Sequence, residues 1–285
     1  MPEGRLPSFL IIGVPKAGTT SLASYVGAHP QVFMSAEKEL NYFNRKKKRQ
    51  EWYRAQFAGA GGAKAVGEAT PTYILNERAL IRMANEIPGA KLIVIMRNPV
   101  DRAYSQYWWN RAVHEPRTFA DAVRAEMSAG PSDRPLPETD GHVRYHTYTG
   151  GGRYLELLER VEKHYPRDAV HTVVMEDLLE DAAGTYKEVC RFLGIDDTLE
   201  PAHLGAVLNP AYRVRSVRLR RWMIRTHAWR RLPFGLADRI ERLNRTSLAY
   251  QKMDPALRDE LLAWFAPANA TLEGRLGREL TAWRR

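Results

Sequence analysis

This 285-residue sequence has a single cysteine and lacks any long apolar run. The lone thiol, Cys190, excludes an internal disulfide and cannot by itself build a zinc site. Its setting in the apolar helical pattern YKEVCRFLG predicts a buried core thiol. No uninterrupted apolar stretch approaches 18 residues, so no membrane span is expected. The opening MPEGRLPSF enters a strand pattern by about residue 8, leaving no room for the regions of a secretory signal. These features predict a cytoplasmic, reducing setting. Acids are also scarce in one place: between Arg213 and Arg245 the only ones are Asp238 and Glu241.

What is present reads as a globular protein, 44% hydrophobic and 27% charged, with a net charge of +10. That balance is compatible with anionic substrates, nucleic acid or acidic membrane surfaces and cannot choose among them. Along the first two thirds, short apolar strands alternate with helical patterns. SFLIIGV precedes a helix over 19–28, QVFM is short and extended, EWYRAQF is helical and AKAVGEA extended. NERALIRMANEI is helical, KLIVIMR is the strongest strand, and Pro99 starts the next helix. After a helix around TFADAVRAEM, the stretch AGPSDRPLPETDGH reads as a surface loop. YLELLERVEKHYP is an amphipathic helix and AVHTVVM a buried strand. From about residue 203 no strong strand follows, and Leu257, Leu261, Trp264 and Leu272 stand near helical spacing. The prediction is a single α/β domain, a parallel sheet flanked by helices over 8–200 with a C-terminal helical cap or lid over 203–285.

Three stretches carry chemistry. IIGVPKAGTTSL follows the first strand and opens the first helix, the arrangement that aims helix N–H groups at phosphate oxygens. Gly13 and Gly18 have the spacing of the nucleotide-binding loop G-x-x-x-x-G-K-[ST]. Thr19, however, stands where that loop has its lysine, and the only lysine, Lys16, lies inside the loop. Such a loop can wrap one 5′-phosphate, with Lys16 near whatever bond leaves it. In IVIMRNPVDRAYSQYW, Arg97 ends the strongest strand and Ser105 lies about two helical turns on. Both the loop and Arg97 then fall at the carboxyl edge of the sheet, where ligands bind. Arg97 offers a forked charge to phosphate, unless it is a salt-bridged strand end. In AEKELNYF, Glu39 lies between Lys38 and the aromatic pair Tyr42–Phe43, whose shielding would tune it toward general-base work.

Together these stretches resemble the sulfotransferases that use 3′-phosphoadenosine 5′-phosphosulfate (PAPS), most closely the heparan-sulfate-type and bacterial members. GVPKAGTTSL looks like their 5′-phosphosulfate loop, RNPVDRAYSQY like their 3′-phosphate element, and KELNYF like the segment with their catalytic glutamate. Fainter echoes, among them GEATPTYI, GGRYLELLERVEKHYP, VVMEDLLED and LNPAYRVRS, extend the likeness over nearly all of 8–283. The resemblance implies a cofactor site of Pro15, Lys16, Ala17, Gly18, Thr19 and Thr20 for the 5′-phosphate, and Arg97 and Ser105 for the 3′-phosphate. It implies that Lys16 steadies the leaving group and Glu39 takes the acceptor proton, without a metal. The product would be adenosine 3′,5′-bisphosphate (PAP). Arg213 and Arg215 fall where the family closes a loop over PAPS. Two departures stand out: Asn41 replaces a frequent histidine, and Ala69 in GEATP replaces a lysine.

The expected acceptor is a hydroxyl; anionic and carbohydrate acceptors fit, nucleic acid is not expected, and peripheral membrane contact is compatible. The arginine-rich segment, with Trp222, Trp229, Leu232, Phe234 and Leu236, reads as an acceptor lid, an acidic-lipid surface or an amphipathic cap. RKKKR at 45–49 either steers an anion or is simply solvated. The rival readings are a P-loop small-molecule kinase, which the missing G-K-[ST] lysine opposes, and a basic nucleic-acid-binding module, which leaves the two phosphate elements unexplained.

Overall fold

Five parallel strands, β1 (Phe9–Gly13), β2 (Val32–Met34), β3 (Ala65–Ala69), β4 (Lys91–Met96) and β5 (Val170–Val174), pair in the order β2-β3-β1-β4-β5. The structure, a computed structural model, describes residues 4–45, 48–112, 115–128, 147–206, 213–226, 236–246 and 251–285. β1 and β3 are buried throughout and β4 beyond Lys91, so the near-continuous apolar runs of the sequence are the central strands. β5, read from sequence as a buried strand, is the sheet edge: Val170, His171 and Thr172 are only half-buried. An edge strand has a neighbour on one side only, and its apolar pattern does not reveal this.

The connecting helices are α1 (Thr19–Gly27), α2 (Gln50–Ala55), α3 (Glu77–Glu86), α4 (Pro99–Arg111), α5 (Phe119–Ser128), α6 (Tyr154–Glu162), α7 (Met175–Glu180) and α8 (Ala182–Leu193). Local chemistry starts several of them. Asn76 accepts from the Ala79 N–H, Asn98 from those of Val100 and Asp101, and Asp181 from that of Gly184. Pro99 occupies the first turn of α4, as its fixed φ favours. The chain leaves β1 through α1 toward β2 on one side, while β4 leads through α4 toward β5 on the other. A crevice therefore opens between the carboxyl ends of β1 and β4, adjacent strands that keep register to Ile11↔Ile93 and slip by one residue before Gly13↔Val94.

Past residue 206 the described chain forms α9 (Val217–Arg225), α10 (Leu236–Asn244) and α11 (Pro255–Leu276). A two-residue antiparallel ladder, β6 (Arg213–Val214) with β7 (Arg245–Thr246), joins the flanks of α9 and α10, where the sequence pattern indicated no strong strand. α11 lies along α4 and α6. Leu257, Leu261 and Phe265 enter a second core with Val100, Ala103, Tyr107, Phe119 and Tyr148. Trp264, expected on the buried stripe, is half-buried and meets Phe265 edge-on at 4.8 Å. On the helical wheel 264 lies about sixty degrees from the centre of the stripe formed by 257, 261 and 265, at its border and not within it. Cys190 is buried in α8. The predicted loop AGPSDRPLPETDGH, Trp229, Leu232 and Phe234 lie outside the described residues.

Candidate active site

The loop between β1 and α1 floors the crevice. Gly18 caps α1 with φ +97°, a left-handed conformation open to glycine at little cost, and no side chain caps the helix. The first turn of α1 carries no acid, so its N–H groups and positive dipole end face the loop unopposed. Pro15, Ala17 and Thr19 are buried, while Lys16 and Thr20 are half-buried. Beneath the loop lies Arg102, fully buried, donating to Gln106 Oε1 at 2.6 Å, to the Tyr148 carbonyl, and at 3.5 Å to the Pro15 carbonyl. Gly151 lies flat against that guanidinium; a Cβ there would come within 2.9 Å of it. The sequence reading passed over Arg102, although it sits inside the quoted RNPVDRAYSQY.

Lys16 is the centre of charge. Burial first, then the Arg220 and Arg97 guanidinium groups, lower its ammonium pKa from 10.5 to about 8, with Glu39 opposing and Lys38 adding to the shift. A lysine so destabilised as a cation has a site ready for negative charge. Arg97 stands half-buried just past β4, and its backbone is fixed from two sides. Tyr154 donates its hydroxyl to the Arg97 carbonyl at 2.5 Å, and Glu176 accepts from the Asn98 N–H at 2.9 Å. Glu176 also accepts from the Trp283 indole at 2.9 Å, so the C-terminal turn braces the same corner. Ser105 is half-buried two turns into α4.

Glu39 lies on the other side. Among the described residues the non-glycine residues with left-handed φ are Lys16 (72°), Glu39 (60°) and Asn41 (52°). Such backbone is uncommon and collects at functional sites. Two of the three are the residues nominated from sequence for catalysis. The Glu39 N–H donates to the Ala69 carbonyl at 3.1 Å, and Asn41 Nδ2 donates to the Glu39 carbonyl at 2.7 Å. Asparagine, which tolerates left-handed φ, thus stands where the resembling family often has histidine. The expected aromatic shield is absent: the Glu39 side chain is 42% exposed. Tyr42 and Phe43 turn inward instead, Tyr42 stacking on Tyr53 at 4.1 Å and Phe43 meeting Tyr73 edge-on at 5.4 Å. They anchor the segment in the core. Lys38 bridges the two sides, donating to Thr20 Oγ1 at 2.6 Å while its Nζ lies 3.6 Å from Glu39 Oε1.

Below this segment is Glu68, a completely buried carboxylate that sequence reasoning did not single out. It accepts from the hydroxyls of Tyr53 (2.8 Å), Tyr73 (2.9 Å) and Thr70 (2.7 Å). Burial raises its pKa while the three donors pull it back. Thr70 Oγ1 in turn accepts from the Asn41 N–H at 3.3 Å, so the buried acid reaches the Glu39 segment through one residue. The echo GEATP contained this glutamate, but nothing local disclosed its three partners. Of the RKKKR run, Lys46 and Lys47 lie outside the described residues. Lys48 sits 3.5 Å over the Trp52 ring and donates to the Leu40 carbonyl at 2.7 Å, holding the chain beside Glu39.

The arginine-rich segment contributes differently from expectation. Arg213 pairs through its backbone with Thr246, its side chain lying outside the described residues, and Arg215 is exposed with its N–H on the Asn244 carbonyl at 2.7 Å. It is Arg220, half-buried on α9, whose charge bears most on Lys16. The usable signal was helical spacing: with Leu219 and Met223 turned inward, position 220 borders the inner face.

A parallel α/β sheet with a glycine-capped loop, converging cations at its carboxyl edge and a carboxylate opposite is the architecture of the nucleotide-phosphate-loop class. The particular family follows from comparison. The sulfotransferase domain profile matches residues 6–206, and the chain belongs to that family. It is 42% identical over 130 residues to the membrane-associated sulfotransferase kil1 of Dictyostelium discoideum, covering 41% of this chain and 28% of that protein. Human heparan sulfate glucosamine 3-O-sulfotransferase 6 is 30% identical over 200 residues, covering 70% of this chain and 55% of that protein. The crystal structure of a sulfotransferase from Alicyclobacillus acidocaldarius superposes with a TM-score of 0.71 at 25% identity, covering 99% of this chain and all of that one. The chain spans between about a quarter and about half the length of these curated relatives.

Proposed function

We propose that this domain transfers the sulfuryl group of PAPS to an acceptor hydroxyl, yielding a sulfate ester and PAP. The observation that carries the reading is Lys16: a lysine inside the phosphate loop, half-buried, with Arg97 and Arg220 both depressing its pKa. Such a site calls for several negative charges at once, which a 5′-phosphosulfate and a 3′-phosphate bring. The donor set fits. The N–H groups of Gly18 to Thr20 at the uncapped start of α1 take the 5′-phosphate, the Ala17 N–H closing the loop on the Val14 carbonyl at 3.2 Å, and Arg97 with Ser105 takes the 3′-phosphate.

Glu39 accepts the proton of the acceptor hydroxyl as that oxygen bonds to sulfur, and the bond from sulfur to the bridging oxygen breaks. Lys16 stabilises the charge that then collects on the departing phosphate. Lys38, between Thr20 and Glu39, lies beside the group in transit and supplies a second cation on the acceptor side. An exposed Glu39 leaves room for a bulky acceptor, and sugar hydroxyls fit that opening. The single buried thiol accords with work in a reducing cytoplasm.

The test is thermal unfolding with PAP and, separately, with ADP and Mg²⁺. Ligands that bind only the folded state raise its melting temperature. Stabilisation by PAP supports the reading; stabilisation by Mg–ADP with none by PAP replaces it with a kinase.

A further inference from the structure

α9 has two chemically distinct faces. Met223 is buried and Arg220 acts on Lys16, whereas Arg218, Arg221 and Trp222 are exposed. Positions 218, 221 and 222 form one helical stripe pointing away from the crevice. α10 repeats the pattern, exposing Leu236, Arg239 and Leu243 along one side and burying Asn244. The two helices are clipped together. Asn244 Oδ1 accepts from the Ser216 N–H at 2.8 Å, its Nδ2 donates to the Ser216 carbonyl at 3.0 Å, and the β6–β7 ladder continues the join.

The chemistry of this surface is unlike the rest of the molecule. The segment that carries it, residues 213–245, has eleven arginines against two acids in sequence, and Arg215, Arg218, Arg221, Arg239 and Arg242 are the exposed ones among the described side chains. Three of the six large apolar side chains exposed among the described residues are here: Trp222 (54%), Leu236 (41%) and Leu243 (67%).

We propose that the outer faces of α9 and α10 dock on an anionic lipid bilayer, arginines meeting phosphate headgroups and Trp222, Leu236 and Leu243 entering the interface. Basic amphipathic helices bind membranes through that combination. A soluble polyanion would use the arginines but give the apolar side chains nothing to bury them. A second copy of the same face would be repelled by its charge. Because Arg220 rides on the inner side of α9, a docked domain would hold its crevice close to the membrane surface. The proposal does not depend on which group the crevice transfers.

The experiment is co-sedimentation of the full chain with vesicles of phosphatidylcholine alone or with roughly one third phosphatidylglycerol. Binding to the anionic vesicles only is expected, weakening about fivefold for each of Arg218→Gln and Arg221→Gln. The double variant Trp222→Ser, Leu243→Ser is expected to lose at least about tenfold, since insertion of apolar area is removed. Circular dichroism and PAP-induced stabilisation of the variants check that the fold persists, and loss of PAP binding by the wild type would count against the transfer reading alone. Three results would overturn the proposal: no vesicle binding, binding unchanged by Trp222→Ser, Leu243→Ser with heparin competing fully, or a wild-type dimer that this double variant splits. The second marks a polyanion surface, the third a self-interface.

Discussion

The two walls of the crevice are built on different principles. On the phosphate wall, the loop at 13–20 and Arg97 rest on groups drawn from distant parts of the chain: buried Arg102 below, buried Tyr154 and half-buried Glu176 behind, buried Trp283 bracing the corner. On the acceptor wall, Glu39 is exposed, its backbone tied through Asn41, Thr70 and the buried Glu68 and its carboxylate facing Lys38 at 3.6 Å. The contrast separates two tasks. An invariant nucleotide needs fixed donors aimed at fixed oxygens, which preorganised buried networks supply. An acceptor of unspecified size needs a held base and open space around it.

That comparison can be broken at several points. Glu39→Gln should cost about 10²–10⁴ in kcat, the range for a general base, with PAP affinity unchanged. Steady-state kinetics beside calorimetric titration of PAP would decide it, and full turnover in the variant removes Glu39 from the mechanism. Lys16→Met should lose about 10²–10³ in kcat, comparable to removing an oxyanion donor. The same change should raise the melting temperature of the ligand-free protein, because a half-buried ammonium among two guanidinium groups opposes folding.

The sign with pH follows from the depressed Lys16 pKa. Between about 8 and 10.5 the unfolded chain binds more protons at this position than the folded one, so stability rises with pH across that window. The advantage of Lys16→Met over wild type should therefore be largest near neutral pH and fade by pH 10; thermal melts at a series of pH values measure it. An advantage that grows with pH would contradict the assigned environment.

Lys38→Met sharpens the contrast further. It should reduce kcat about tenfold while leaving PAP affinity within about twofold, since PAP has no sulfuryl group for Lys38 to meet. Equal losses for PAP affinity and turnover would make Lys38 a brace for Thr20 only. The smallest effect on chemistry belongs to Glu68→Leu. Removing the common acceptor of three buried hydroxyls should lower stability by about 2–5 kcal/mol in denaturant unfolding, and kcat at low temperature only severalfold. An unchanged unfolding midpoint would detach Glu68 from the acceptor wall.

Much of this architecture lay open in local patterns. The runs that became β1 and β4, the glycine spacing, Pro99 at the start of α4 and the lysine inside the loop are each set by neighbours within a few residues. The α/β fold and the positions of Lys16 and Arg97 at one sheet edge follow from those patterns plus the topology rules for parallel strands. The failures have a common cause. Adjacency in sequence puts Tyr42 and Phe43 beside Glu39, but the left-handed backbone at Glu39 and Asn41 turns them into the core.

By itself, then, the sequence determined the strands, the helix starts and the glycine-spaced loop between β1 and α1, since these depend on short-range stereochemistry and spacing. Tertiary structure alone decided that Glu68 is sealed among three hydroxyls and Arg102 lies beneath the loop. It also decided that Arg220, more than 200 residues from Lys16, bears on the same charge. Burial and electrostatic fields are properties of what folding brings together, and no window of the chain contains them.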